Sequence, residues 1–256
     1  MTNDLVSIIM FSKDNGRFVK ETIKSILAQT FQNWELIFLD DKSSDDTIRQ
    51  MMEYIHDKRI KVSQNSHSRG SAASMNSSLR NARGRWIAFL NVGDLWEPRK
   101  LEKQITFMED NGYAFSYTKY RYINMDGKVR GDMMGGLEVV THKKLIKCCW
   151  MGYLTVMYDV VKLGHFQVRN IIEHNDYALW MEVSEKANCY LLPECLASHR
   201  VKHGLYSPLP MFDKVRWRYE VFHSVEDLNP ILSLWLTVRN MVGGFVKKVK
   251  YVEKAK

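Results

Sequence analysis

The segment ETIKSILAQTFQNWELIFLDDKSSDDT, residues 21–47, decides the fold class of this chain. Apolar residues recur at helical spacing in its first part, at Ile23, Ile26 and Leu27, which predicts an amphipathic helix. WELIFL (34–39) follows as a short, mostly apolar run, typical of a strand that is buried on both faces. A second helix is indicated after the acidic pair Asp40-Asp41. A helix, a buried strand and another helix in this order indicate an α/β fold.

The rest of the first hundred residues repeats this alternation. Short apolar runs predict further strands at LVSIIMF (5–11), IKVSQ (60–64) and WIAFL (86–90). Helices are predicted from Gly16 onward and over 71–82. The order βαβαβαβ predicts a parallel sheet with helices on both faces.

The second half has a different pattern. YAFSYTKYRYI (113–123) and GYLTVMYD (152–159) predict strands with longer loops, and residues 174–187 predict an amphipathic helix. CYLLPECLASHRV (189–201) predicts short strand pieces, because Pro193 interrupts the run. These features indicate a smaller, mixed half within one fused domain.

Composition narrows the class of protein. The chain has 256 residues, 45% hydrophobic and 26% charged, as in an ordinary globular protein. Its net charge of +8 favours partners that carry phosphate, namely nucleic acid, anionic lipid or a nucleotide. We expect no nucleic-acid binding, because no basic-aromatic motif of that class is present.

Cysteines and apolar runs indicate the compartment. The four cysteines include no CxxC pair, so zinc ribbons and thioredoxin-type sites are disfavoured. The start MTNDLVSIIMF has no basic region before its apolar run, so we expect no signal peptide. No run of about 18 apolar residues occurs, so we expect no membrane span. The expected location is the reducing cytoplasm.

Acidic residues follow three of the predicted strands, at Asp14, at Asp40-Asp41 and at Asp94. The carboxyl ends of parallel strands share one edge of the sheet, where ligands bind, so we expect these acids to converge. Asp40 and Asp41 could select a base through its imide N–H or through the ribose hydroxyls. They could also cap the next helix, although Ser43 or Ser44 would serve there. The charges of two adjacent acids repel each other, and proteins usually tolerate that cost where the acids bind a ligand or an ion. The pair therefore favours a role in binding.

FLNVGDLWEP (89–98) joins the fourth strand to a helix predicted from Pro98. Asp94 is a candidate ligand of Mg²⁺ or Mn²⁺, since Mg²⁺ commonly takes only one or two protein carboxylates. Asn91 could add a weaker oxygen ligand. Asp94 could instead cap the helix, with Gly93 making the turn. The segment alone leaves both possibilities open.

Asp176 stands at the start of the helix predicted over 174–187. It is a candidate general base for an incoming hydroxyl. By local sequence alone, a helix N-cap is the better interpretation. His174, His199 and His203 lack the spacing of a metal motif, which indicates surface or packing roles.

Together these segments resemble the family 2 glycosyltransferases, whose fold is the nucleotide-sugar-binding GT-A type. The resemblance covers about residues 5–208. The matching segments occur in the family's order: VSIIMFSKDN, ETIKSILAQTFQNWELIFLDDKSSDDT, ARGRWIAFLNVGDLWEPRKLEKQ, NDYALWMEV and LASHRVKHGLYS.

The resemblance implies roles for individual residues. Nucleotide binding would fall to Ser12, Asp14, Asp40, Asp41 and Asn91. Asp94 would hold Mn²⁺ or Mg²⁺, and Asp176 would be the catalytic base. Lys13, Lys202 or Arg200 would help to offset the charge of the diphosphate.

The resemblance also implies a reaction. A sugar would move with inversion from a nucleotide donor, a UDP-sugar above all, to a hydroxyl of a glycan or lipid-linked acceptor. The pathway would be the synthesis of a cell-surface polysaccharide.

Four positions depart from the family's pattern. The family's Asp-x-Asp-Asp is here Asn91-Val92-Gly93-Asp94, and Lys13 replaces the tyrosine expected against the base. Met75 stands where an arginine is common, and Lys202 where histidine is frequent. We therefore expect a weakened metal site. The departures keep a second function open, a non-catalytic GT-A-fold partner of another transferase. A third class, the nucleotidyltransferases, would need a glycine-rich basic loop, and KDNGR is a poor one.

We divide the chain into a nucleotide-sugar-binding half (1–100), an acceptor-binding half of the same GT-A domain (101–210) and a basic tail (211–256). The tail holds nine Lys or Arg against five Asp or Glu, a net +4. With its apolar residues, this predicts either a helix lying on an anionic membrane surface or a helix packed on the domain. The first alternative would make the protein peripheral to the inner face of the cell membrane.

Overall fold

The computed structural model describes residues 4–169, 171, 175–201 and 210–254. Its first half alternates strands and helices as predicted: β1 (Val6–Ser12), α1 (Gly16–Leu27), β2 (Trp34–Asp40), α2 (Thr47–Met52), β3 (Ile60–Gln64), α3 (Ser71–Arg80) and β4 (Trp86–Phe89). β1 pairs with β2 and β4, and β2 pairs with β3, all in parallel. The predicted α/β fold with a parallel sheet in this half is confirmed.

The second half extends the same sheet with mixed strand directions. Its elements are β5 (Leu95–Trp96), α4 (Lys100–Asp110), β6 (Phe115–Ile123), β7 (Val129–Met134), β8 (Val139–Val140), α5 (His142–Lys147), β9 (Met157–Asp159), α6 (Val160–Leu163), α7 (Asn175–Lys186) and β10 (Cys189–Arg200). β9 lies antiparallel between β4 and β6, and β6 pairs antiparallel with β7 and parallel with β10. The predicted strand 152–159 is a strand only at its end, because Tyr153–Thr155 form a 3-10 turn before β9.

β10 corrects the prediction of short strand pieces. It is one strand of 12 residues that pairs along β6 through two register shifts, between Leu192 and Cys195 and between Cys195 and Ala197. Pro193 lies at the first shift. A residue in a bulge does not have to donate a hydrogen bond to the neighbouring strand, so the missing N–H of proline is tolerated there. The strand therefore continues past the proline and carries Arg200 to the edge where β4 ends.

The sheet buries a core on each face. Neighbouring residues of β1 show the alternation, since Ile8 packs in one cluster and Ile9 in the other. The Ile8 cluster includes apolar residues of α1 and α4, whereas the Ile9 cluster includes those of α3 and α7. Helices on both faces hold the carboxyl ends of the strands in fixed positions.

The tail is a packed structure and not a single helix. It comprises α8 (Met211–Glu220), a π-helical turn (Val221–Val225), α9 (Pro230–Lys250) and β11 (Val252–Lys254), which pairs antiparallel with β7. One face of α9 is buried, at Ser233, Leu236, Thr237 and Asn240. Another face exposes what we call the apolar stripe: Ile231, Leu234, Trp235, Val238, Val242, Phe245 and Val249. The buried face of α9 supports packing on the domain, and the exposed stripe is compatible with a membrane surface, so both predictions for the tail stay open. Within the described residues, no helix is long and apolar enough to cross a membrane.

Candidate functional site

A cleft of about 450 Å³ opens where β1 and β4 end. Both halves of the chain line it, with Phe11, Ser12, Lys13, Asn15, Phe18, Ser71, Met75, Asn91, Val92, Gly93 and Asp94 from the first and Met125, Tyr153, Asn175, Asp176, His199 and Arg200 from the second. Four residues predicted for the site, Ser12, Asn91, Asp94 and Asp176, therefore meet in one place. Asp14, Asp40 and Asp41 do not line the cleft.

Asp94 is buried at the floor of this cleft, with 4% of its surface exposed. Its Oδ1 accepts a hydrogen bond from His199 Nδ1 (2.9 Å) and another from the Arg200 backbone N–H (2.9 Å). Burial lowers the pKa of His199, but the charge of Asp94 and the hydrogen bond to it outweigh burial and raise that pKa. The prediction for His199, a surface or packing role, agrees with its ring contacts to Tyr120 and Tyr122, but it did not include the hydrogen bond to Asp94.

Asp94 does not cap the next helix. α4 begins at Lys100 with Arg99 at its N-cap, and no side chain accepts a capping hydrogen bond there. Gly93 does make the turn, because its φ of +107° lies in the region that favours glycine. This finding leaves the metal-ligand interpretation of Asp94 as the remaining prediction.

Arg200 ties the loop of Asp94 to its surroundings. Its Nε donates to the Gly93 carbonyl (2.8 Å), and its Nη1 to the carbonyls of Asn124 and Met125 (3.0 Å each). Its Nη2 pairs with Glu21 Oε2 at 2.6 Å. Every guanidinium nitrogen thus already has a protein partner, so Arg200 is poorly suited to the diphosphate role that the resemblance implies.

Asp41 organises the loop that leads into α3. Its carboxylate accepts backbone N–H groups of Arg69 (2.8 Å) and Gly70 (3.1 Å) and the side chains of Asn65 and Ser68 (2.7 Å each). Burial alone would raise the pKa of Asp41, but these hydrogen bonds lower it to about 2. Its role is therefore at least partly structural.

Asp40 and Asp14 hold the loop after β2. Asp40 accepts from the backbone N–H of Ser43 (2.8 Å), from the Ser43 hydroxyl and from Gln64 Nε2 (2.9 Å). Asp14, at φ +52°, accepts from the Ser44 N–H (2.7 Å) and hydroxyl (3.0 Å), and these bonds lower its pKa. All three acids next to the cleft thus shape loops.

Asp176 lies in the first turn of α7 and faces the cleft. The preceding Asn175 donates from Nδ2 to the Ser71 hydroxyl at 2.6 Å, which joins α7 to the start of α3. Tyr153 lines the same cleft, and burial, and then the charge of Asp176, raise the pKa of its hydroxyl. His174, Lys202 and His203 lie outside the described residues.

Two cleft residues escaped the sequence predictions. Phe18 lines the cleft and lies under the Arg200 guanidinium, 4.6 Å from ring centroid to Cζ. Tyr153 has a buried hydroxyl with no hydrogen-bond partner in the described part of the chain. Both differ from ordinary core aromatics only in their position on the cleft. The local sequence gives no signal of that position.

Comparisons with known proteins agree with this geometry. The family described as Glycosyl transferase family 2 matches residues 7–167. TuaG of Bacillus subtilis, a glycosyltransferase named for teichuronic acid biosynthesis, is 35% identical over 245 residues, 93% of this chain and 96% of its own. The UDP-Glc:alpha-D-GlcNAc-diphosphoundecaprenol beta-1,3-glucosyltransferase WfgD of Escherichia coli is 38% identical over 188 residues, 73% of each chain.

Solved structures share the fold. S. aureus TarS 1-349 in complex with UDP-GlcNAc matches with a TM-score of 0.70 at 19% identity, over 98% of this chain and 76% of that one. The mannosyltransferase PcManGT from Pyrobaculum calidifontis, in complex with GDP-Man and Mn²⁺, matches with a TM-score of 0.63 at 13% identity, over 95% and 73% of the two chains. The predicted GT-A fold is confirmed.

Proposed function

This chain belongs to glycosyl transferase family 2, and from that premise we propose that it transfers a sugar from a UDP-sugar to a hydroxyl of a lipid-linked glycan, with inversion, in the assembly of a cell-surface polysaccharide. One observation carries the proposal: Asp94 and Asp176, from different halves of the chain, line a single cleft. The relative WfgD, whose name includes a UDP-Glc donor and a diphosphoundecaprenol acceptor, supports the choice of donor and acceptor class.

The donor nucleotide binds beside β1. Ser12 and Asn91 line the cleft and contact the donor directly, while Asp14, Asp40 and Asp41 hold the neighbouring loops in shape. Lys13 also lines the cleft, and its Nζ donates to the Ser68 hydroxyl at 3.0 Å. That contact holds the Lys13 ammonium group near the donor diphosphate. Arg200 contributes indirectly, because it fixes the loop that carries Asp94.

A divalent metal fits this cleft if the diphosphate supplies most of its ligands. Both side-chain hydrogen bonds of Asp94 end on Oδ1, so within the described residues Oδ2 remains for an ion. Asp94 and the amide oxygen of Asn91 are hard oxygen donors of the kind that Mg²⁺ and Mn²⁺ prefer. A metal bound there would stabilise the charge that develops on the leaving diphosphate. PcManGT, which shares the fold, was solved with Mn²⁺.

Asp176 is the base of the proposed reaction. Its carboxylate takes the proton of the acceptor hydroxyl, whose oxygen attacks the anomeric carbon on the face opposite UDP. The bond from that carbon to the UDP oxygen breaks, and the configuration inverts. Asn175 holds the start of α7, and with it Asp176, against α3 through Ser71.

The apolar stripe of α9 docks on an anionic lipid surface. Its seven side chains are at least half exposed, and the tail has a net charge of +4. Trp235 lies under the Arg239 guanidinium at 4.9 Å, an aromatic and basic pair suited to a lipid interface. Docking there would hold the protein at the surface in which a lipid-linked acceptor is anchored.

The alternative is a partner protein that binds a nucleotide-sugar without transferring it. The Asp94–His199 contact favours it, because the histidine occupies one oxygen of the single metal carboxylate. A screen of UDP-sugars for hydrolysis, with and without Mn²⁺, separates the two. Metal-dependent release of UDP supports the enzyme, whereas calorimetric UDP binding with no turnover of any donor supports the partner protein.

A further inference from the structure

A second cavity, of about 200 Å³, lies on the other side of Asp176. Asp176 lines this cavity as well as the cleft, so it forms part of the wall between them. Arg218 of α8 and Lys247 of α9 line the cavity, as does Tyr122 of β6. Both cations belong to the tail, beyond residues 7–167 that match the family. The family match therefore does not include either basic residue.

The available charge of the cavity comes from Arg218. Among the described lining residues Asp176 is the one Asp or Glu, and Arg218 and Lys247 are the basic residues. Lys247 Nζ donates to the carbonyls of Cys149 (3.1 Å) and Trp150 (2.7 Å), and burial lowers the pKa of Lys247, so this side chain is held by the protein. Cys149 adds no anion, because burial, and then the charge of Asp176, raises the pKa of its thiol to about 12. If Asp176 faces the reacting hydroxyl, the positive charge of Arg218 remains for another part of the acceptor.

Hydrogen bonds hold Arg218 in place but leave part of it free for a ligand. Its Nε donates to Asn240 Oδ1 at 3.2 Å and its Nη1 to the Lys214 carbonyl at 3.3 Å, while no described residue accepts from Nη2. Asn240 in turn donates to the Tyr177 hydroxyl at 2.8 Å. Tyr177 follows Asp176 in α7. The hydrogen bonds from Arg218 to Asn240 and from Asn240 to Tyr177 therefore hold the guanidinium in a fixed position relative to the helix that carries Asp176.

We propose that this cavity binds the acceptor through an anionic group beside its reactive sugar, the diphosphate of a lipid-linked sugar, with Arg218 as the specificity-determining residue. The inference rests on the proposed function and names its acceptor class. Guanidinium groups bind phosphate through paired charge-assisted hydrogen bonds, so Arg218 discriminates a charged acceptor from a neutral one. Lys247 of α9 also lines the cavity, and the exposed face of the same helix carries the apolar stripe. α9 therefore borders both the cavity and the surface proposed to meet the lipid.

Calorimetric titration of three synthetic probes tests the proposal without requiring turnover. The probes are octyl GlcNAc diphosphate, neutral octyl GlcNAc glycoside and octyl glucuronide, whose carboxylate is the other common sugar anion. We expect the parent to bind the diphosphate at least tenfold more tightly than the neutral glycoside. Arg218→Gln should reduce diphosphate affinity about 10- to 100-fold. Arg216→Gln, the same charge change at an exposed position of α8, should leave it unchanged. Tighter binding of the glucuronide than of the diphosphate would overturn the assignment to phosphate.

A second pair of variants keeps the test decisive if Arg218→Gln does not fold. A Cβ at Gly244, which lines the cavity, would meet no atom within 4 Å. Gly244→Asp should weaken diphosphate binding well beyond the effect of Gly244→Asn, which has the same size without the charge. Equal diphosphate affinity in the two variants, or equal affinity of the parent for charged and neutral probes, would refute the inference. The proposed function fails in a different way. In that case no donor releases UDP, although the protein still binds the diphosphate probe more tightly than the neutral glycoside.

Discussion

Arg200 Nε donates a 2.8 Å hydrogen bond to the carbonyl oxygen of Gly93, and this bond fixes the loop that presents Asp94. The same side chain is 3% exposed and pairs with Glu21 across the cleft wall. Lysine has no planar fork and cannot replace these bonds. We expect Arg200→Lys to lower the free energy of unfolding by about 2–4 kcal/mol, as measured by urea denaturation. Arg17→Gln, which removes an exposed pair with Asp126, should change it by less than about 0.5 kcal/mol. Equal effects of the two substitutions would contradict this role for Arg200.

Gly93 offers a direct test of the metal site. A Cβ there would make ordinary contacts, 3.8 Å to Phe18 and 3.9 Å to Arg200, but its φ of +107° strains any other residue. We expect Gly93→Asp and Gly93→Asn each to lose about 1–3 kcal/mol of stability. Only the aspartate should tighten Mn²⁺ binding in calorimetry, because it adds a carboxylate beside Asp94. If the folded aspartate variant binds Mn²⁺ no better than the asparagine variant, Asp94 is not the metal ligand.

Asp176→Asn should abolish sugar transfer while leaving UDP and Mn²⁺ affinity unchanged, because a base acts only in the chemical step. We expect kcat to fall by at least about 100-fold, measured with a UDP-sugar and a lipid-linked acceptor. A variant that melts at lower temperature yet transfers sugar at the parent rate would indicate a helix-terminus role instead.

The low pKa of Asp41 predicts how stability changes with pH. A carboxyl group whose pKa is lowered on folding stabilises the protein above its unfolded pKa, and that contribution disappears as pH falls through the folded value. A pKa of about 2, compared with an ordinary 3.8, corresponds to about 2 kcal/mol at neutral pH, lost between about pH 4 and pH 2. Urea denaturation over this range should therefore show a smaller loss for Asp41→Asn than for the parent. Parallel profiles would show that the loop contacts of Asp41 contribute little.

The apolar stripe can be tested by single charges. Trp235→Glu and Phe245→Glu should each reduce sedimentation with anionic vesicles, since they place a carboxylate where lipid would lie. Val161→Glu, at a 77% exposed position of α6, is the matched control and should sediment like the parent. Removing the whole tail would be uninformative, because it also removes β11 and the buried face of α9. Equal sedimentation of all four proteins would argue against membrane docking.

Local sequence was sufficient for the elements that are buried on both faces. β1, β2 and β4 are short, mostly apolar runs in a chain segment that alternates strands and helices, and such runs are typical of strands buried on both faces of a parallel sheet. β10 could not be predicted whole, because Pro193 normally ends a strand and only the pairing with β6 shows the bulge that accommodates it. Position on the sheet correctly brought Ser12, Asn91 and Asp94 together.

The contacts of these residues needed the folded chain. His199 meets Asp94 from a strand far along the sequence, so no local pattern relates the two. Asp40 and Asp41 were expected to face a nucleotide, yet their oxygens accept bonds from loops whose course depends on packing. The fold was therefore more predictable than the chemistry around each carboxylate.

The pairing of β11 with β7 has a consequence for the order in which the protein forms during translation. Val252 lies opposite Met134, so β7 emerges from the ribosome long before the strand that covers it. Until then β7 is an open edge, a template on which a second nascent chain can add a strand. Efficient production in the cell therefore depends on how fast the segment that contains β11 is synthesised and on what shields the edge of β7 meanwhile.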